Sequence, residues 1–117
     1  MTSEKIAQVA CEALYAKKGN DIITLKVDQM TVQADYFVIA SAQSSTQVRA
    51  LAEHVEEEFS KLGLEPTRRE GFRDGRWAVL DYGDVIVHVF NDESRMFYCL
   101  ERLWESGDNL VKYEGNK

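Results

Sequence analysis

One proline, two cysteines and no long apolar run mark this chain of 117 residues. The cysteines, Cys11 and Cys99, fall on segments that both read as helical. Two such residues cannot build the disulfide framework of a small secreted domain, and both read as small buried hydrophobes. No stretch approaches the ~20 consecutive apolar residues that span a bilayer, and the N-terminus lacks the apolar core of a signal peptide. A cytoplasmic protein with no membrane association is therefore expected. Cations are also scarce: 14 Lys and Arg stand against 20 Asp and Glu, a net charge of −6. That balance disfavours backbone-driven RNA or DNA binding, which needs clustered Lys and Arg, and no direct specific nucleic-acid recognition is expected. It suits a basic protein partner, met through electrostatic steering and rim contacts.

Devices for chemistry are missing too. Cys11, His54, His88 and Cys99 have none of the spacings that hold zinc, so no metal site is expected. His54 lies among glutamates on a polar helix face and reads as a surface histidine. His88 could be a base oriented by Asp81, but there is no nucleophile elbow beside it. A hydrogen-bonded structural or interface histidine is the favoured reading. The loop Ser41-Ala42-Gln43-Ser44-Ser45 precedes a helix but has no glycine, so its backbone cannot approach a phosphate as a P-loop does. Asp81 and Asp84 are three apart, and strand alternation puts them on opposite faces, where they cannot clasp one Mg²⁺. No catalytic residues and no cofactor are expected.

What the chain does have is the stretch Trp77–Phe90, WAVLDYGDVIVHVF. Two alternating apolar runs flank Gly83-Asp84, a two-residue hairpin turn in which Gly tolerates positive φ. The turn sets the register. Tyr82 pairs with Val85, Leu80 with Val87 and Ala78 with Val89. On the other face Asp81 meets Ile86, Val79 meets His88, and Trp77 meets Phe90. The first face, Ala78, Leu80, Tyr82, Val85, Val87 and Val89, reads as core. The second is too apolar for open water yet carries a carboxylate and an imidazole, so another layer of the chain or a partner must cover it.

Around the hairpin, Ser3 to Lys17 reads as a helix, with Ile6, Val9, Ala10, Ala13 and Leu14 on its buried face and Gly19 as a left-handed stop. Asp21 to Val27 reads as a strand, and Asp28 to Ala34 as a polar connection. Asp35 to Ser41 is a second strand whose unbroken apolar run suits a place buried on both faces. Ser44 to Gln47 matches a capping box, opening a helix with Val48, Leu51, Ala52, Val55, Phe59 and Leu62 inside, Glu53, Glu56, Glu57 and Glu58 outside, and Gly63 at its end. Pro66 to Glu70 is short and basic, as edge strands often are. Asn91 or Asp92 caps a last helix whose stripe, Met96, Phe97, Leu100, Leu103 and Trp104, could be core or interface, and Gly107 closes it. The expected fold is one α/β domain over residues 1–107, with a mixed sheet of about five strands and three helices. Residues 108–117 are expected to be a flexible tail.

The segments DYFVIAS, EGFRDGRWAVLDYGDVIVHVF and RMFYCLERLW, with DIITLKV before them, resemble the ribosomal silencing factor, or Iojap, family. The resemblance runs from about Ile6 to Trp104, and the pattern W-x-x-x-D-Y-G-D-x-x-x-H-x-F is specific. It implies a fold similar to nucleotidyltransferases without their activity, and here the Gly-Ser pair at a strand-to-helix turn and a D-x-D pair are both missing. It implies a protein that binds the large ribosomal subunit through ribosomal protein L fourteen. There it would block docking of the small subunit and repress translation under nutrient limitation; organellar members act in large-subunit assembly. Trp77, Asp81, Tyr82, His88, Phe90, Arg95 and Tyr98 stand at matching positions. Trp77 and Phe90 would form an aromatic anchor, and Asp81 would accept a bond from a basic group. Arg95 and Met96 would flank them, while Tyr82 belongs to the core face. An exposed sheet edge or aromatic patch would also allow a homodimer in the free state. The competing reading is a small nucleotidyltransferase-like enzyme using Asp81, Asp84 and the helix start at Ser44, which the carboxylate spacing opposes.

Overall fold

The computed structural model describes residues 1–115. In chain order its elements are α1 (Ser3–Ala16), β1 (Asn20–Lys26), β2 (Tyr36–Ala42), α2 (Ser45–Ser60), β3 (Arg68–Glu70), β4 (Trp77–Asp81), β5 (Val85–Asn91), α3 (Asp92–Tyr98), α4 (Leu100–Trp104) and β6 (Leu110–Lys112). The strands form one sheet in the order β3-β4-β5-β2-β1-β6. The sheet is mixed, as expected: β2 and β5 run parallel at its centre and every other pair is antiparallel. The hairpin register also matches the one read from the turn, with Trp77 opposite Phe90, Val79 opposite His88 and Asp81 opposite Ile86.

The sheet separates two apolar clusters. On one side α1 and α2 cover it, and Leu14, Val48, Leu51, Val55 and Phe59 pack on Val38, Ala78, Leu80, Val85, Val87 and Val89. Tyr82 joins this cluster, its ring 4.5 Å from that of Phe59, on the core face assigned to it. On the other side a smaller cluster holds Ile23, Leu25, Val27, Phe37, Ile39 and Phe90 under Leu100 and Trp104. Gly71 lets the loop before β4 lie against the sheet. Its φ is +84°, and a Cβ there would lie 1.8 Å from the Trp77 carbonyl oxygen, so no other residue fits that approach.

Two small corrections are that the left-handed residue after α1 is Lys18 (φ +66°), not Gly19, and that Leu62 is exposed; three larger ones follow. Leu110–Lys112 is not a loose tail but a sixth strand, antiparallel to β1. Without it the amides of β1 would form an open edge. Asn109 Nδ2 donates to the carbonyls of Lys26 (2.9 Å) and Trp104 (2.8 Å), and the Tyr113 amide donates to Ile22 O (2.8 Å). The polarity of the segment hid a three-residue strand that needs only one inward side chain, Leu110. The part of that expectation falling on residues 116–117 lies outside the described residues. Second, the last helix is broken. Cys99 adopts a left-handed conformation, φ +48°, between α3 and α4. Third, the capping box is shifted. Ser44 Oγ accepts from the Gln47 amide at 3.1 Å, but Gln47 Oε1 accepts from the amide of Gln43 (2.8 Å), not from that of Ser44.

Candidate functional site

The break at Cys99 determines what the second sheet face exposes. An unbroken helix would keep the stripe from Met96 to Trp104 on one side. Instead, α4 turns Leu100 and Trp104 onto the sheet, the indole 5.0 Å from the Phe37 ring, while Met96, Phe97 and Leu103 are 82%, 78% and 71% exposed. Arg95 holds the two short helices together. Its Nη1 donates to Ser41 Oγ on β2 (2.9 Å), and its Nε to Glu101 Oε2 on α4 (3.1 Å).

α3 and α4 cover only part of this face. Pairing places Arg68, Glu70, Val79, Asp81 and Ile86 on the same side beyond them. Val79, Asp81 and Ile86 are half-buried there, Ile86 at the margin of the cluster under α4, and Trp77 is also half-buried. The Trp77 ring is 4.7 Å from Phe90 beneath it and 5.0 Å from Tyr98 beside it; Phe97 stands perpendicular to Tyr98 at 5.0 Å. An open cleft of about 570 Å³ lies between the loop from Gly71 to Trp77 and α3, lined by Asp74, Arg76, Trp77, Glu93, Phe97 and Tyr98.

The residues singled out from sequence therefore separate. Trp77, Asp81, Met96 and Tyr98 have surface to offer. His88, Phe90 and Arg95 are buried, so they cannot touch a partner in this conformation, and they shape the surface from below. Trp77 Nε1 donates to His88 Nδ1 at 3.1 Å. Because an indole only donates, Nδ1 is the unprotonated nitrogen and the proton sits on Nε2, which is buried without a partner among the described residues. Burial lowers the His88 pKa to about 4, so the ring is neutral at pH 7. This is a structural histidine. Asp81 is less free than its exposure indicates, since its Oδ1 accepts from the Gly83 amide at 2.8 Å and leaves one oxygen outward.

The sequence left the stripe with Phe97 and Leu103 open between core and interface, because an unbroken periodicity could not show which side would face out. It also gave no sign of a second cleft, about 550 Å³, beside α1. Val111 and Tyr113 form one wall of that cleft, and both belong to the segment read as a tail.

A mixed sheet covered by α1 and α2 on one face and by α3 and α4 over part of the other, with exposed aromatic side chains beside Trp77, makes this an α/β domain with a partly open second face. The chain belongs to the family described as "Ribosomal silencing factor during starvation", whose model matches residues 1–116. It is 36% identical over 104 residues to the ribosomal silencing factor RsfS of Bacillus subtilis, covering 89% of this chain and 88% of that one. A crystal structure of a Chromobacterium violaceum protein superposes with a TM-score of 0.88 at 35% identity, covering 98% of this chain and 95% of that one. A crystal structure of a Bacillus halodurans protein gives 0.82 at 33% identity, over 94% and 99%.

Proposed function

We propose that this chain binds the large ribosomal subunit through ribosomal protein L fourteen and keeps the small subunit from joining it, so that translation falls when nutrients are short. It acts in the cytoplasm as a bound obstacle and not as an enzyme. The observation that carries this reading is the open half of the second sheet face. Trp77, Val79, Asp81 and Ile86 are half-buried there, Phe97 and Tyr98 line a cleft with Trp77, and Met96 and Leu103 are exposed on the same two short helices, which supplies aromatic anchors for a partner. The family's name supports a ribosomal partner. Asp81 does not serve a nucleotidyl-transfer site well, because one of its oxygens is already committed to the hairpin turn.

The test is co-sedimentation with isolated large subunits, together with a subunit-joining assay. Trp77→Ala is a poor probe, since it would also remove the His88 bond and the Phe90 stack. Phe97→Ala, Leu103→Ala and Asp81→Asn spare the core, and Asn keeps an acceptor for the Gly83 amide. The triple variant is expected to keep its fold and to lose tenfold or more in affinity and in inhibition, corresponding to about 1.4 kcal/mol or more. Normal binding by that variant would refute this surface. The same patch would close a homodimer in the free protein, and light scattering with and without L fourteen would then show the partner displacing the second copy.

A further inference from the structure

A protein of net charge −6 that sits on an RNA-rich particle meets phosphate repulsion unless its charges are sorted. They are. Four of the seven arginines, Arg68, Arg69, Arg73 and Arg76, fall within nine residues that hold only two acids, Glu70 and Asp74. The acidic run Glu53, Glu56, Glu57 and Glu58 lies on the neighbouring α2, and of these Glu56 is taken up by Arg69.

Within this segment the arginines are of two kinds. Arg68 and Arg69 are matched by Glu70 and Glu56, each at 2.8 Å. Arg73 and Arg76 are exposed, and among the described residues neither forms an ion pair. Their loop is held in shape. Arg49 Nε donates to Phe72 O (2.6 Å) and its Nη2 to Arg73 O (2.7 Å), and the Arg69 guanidinium lies 3.8 Å above the Phe72 ring. Gly75, at φ +68°, packs on Ser45 so closely that a Cβ would come within 2.6 Å of the Ser45 Cβ. Arg76 lines the cleft beside Phe97 and Tyr98, at the border of the docking surface.

We infer that the loop 71–76 is a phosphate clamp, in which Arg73 and Arg76 contact the RNA backbone next to the ribosomal protein, independently of base sequence. This rests on the large-subunit reading above and adds a second, electrostatic contact to it. Cations without intramolecular partners on a loop of fixed shape suit phosphate oxygens, and releasing the counterions of those phosphates makes binding salt-dependent.

The experiment measures affinity for isolated large subunits across a range of salt concentrations, and separately for purified L fourteen, using the full chain. Arg73→Gln/Arg76→Gln is expected to bind subunits tenfold or more weakly near 0.15 M salt, with a log K against log [salt] slope shallower by about 1 to 2. The loss on the protein alone should be far smaller, and Arg73→Gln by itself, outside the cleft lining, should leave that binding unchanged. Arg68→Gln, removing a cation already matched by Glu70, should change the slope less. An unaltered slope for the double variant would overturn the clamp, as would an equal loss on L fourteen alone, which would make the arginines protein contacts. If the unsubstituted chain failed to bind large subunits, the docking reading itself would fall, a result distinct from either.

Discussion

Trp77, His88 and Phe90 fall on one face because strand alternation puts residues 88 and 90 there and the antiparallel register brings 77 opposite 90. Burying that imidazole has a consequence for stability. In the unfolded chain His88 takes up a proton near pH 6.5, whereas in the folded chain burial holds its pKa at about 4. Between those values the unfolded state binds more protons than the folded one, so stability rises with pH and falls on acidification. The loss begins near pH 6.5 and is complete below pH 4, where it reaches on the order of 3 kcal/mol. Urea denaturation from pH 7 to 4 should show this slope, and His88→Gln, which cannot take up the proton, should lose that component. Parallel pH profiles for the two proteins would contradict a buried neutral imidazole.

At the level of elements, Arg95 decides how α3 and α4 sit. It joins Ser41 on β2 to Glu101 on α4 across the left-handed Cys99, and Leu100 and Trp104 are fixed on the sheet beside it. Removing one member of such a pair leaves the other charge stranded, a loss of about 3 kcal/mol where both are well buried. Arg95→Met should therefore destabilise the protein by about that much or somewhat less, since Glu101 keeps some solvent contact. Arg95→Met/Glu101→Leu should recover much of it in chemical denaturation. If the double variant were no more stable than the single, Glu101 would not be the partner that matters. The same two helices mark where the sequence stopped being readable. The hairpin could be read to the residue because one turn fixes every pairing and alternation does the rest. The capped helices could be read because Ser44 and Asn91 carry side chains that satisfy orphan amides. The break at Cys99 could not, since no glycine marks it and the cause lies in contacts with β2. β6 could not either, because three residues are too few to show a period, and their place is set by the open edge of β1. Which side of the stripe faces out depends on that break, which is why Phe97 and Leu103 stayed open between core and interface, while Phe90 and Arg95, expected at the interface, are buried.

Taken whole, the molecule is a sheet with one finished face and one half-finished one, and the proposal that it docks by the second face has consequences for how inhibition would scale. A bound obstacle inhibits by occupancy: each copy blocks one subunit, and the effect ends when it leaves. A catalyst would silence many subunits per copy, and its effect would grow with time. Titrating the chain into purified large subunits and then adding small subunits separates the two. If it is an obstacle, the joined fraction should fall in step with the bound fraction, approach completion near one chain per large subunit when concentrations far exceed Kd, and stay constant on longer incubation. Nucleotide and Mg²⁺ should change neither curve, and calorimetry of the chain with them should show no heat of binding. Washing the bound chain away with high salt should restore joining, because the salt-sensitive contacts proposed at Arg73 and Arg76 weaken as counterions compete. Inhibition well below one chain per subunit, or inhibition that survives removal of the chain, would mean that it alters the ribosome chemically and that occlusion is not how it works.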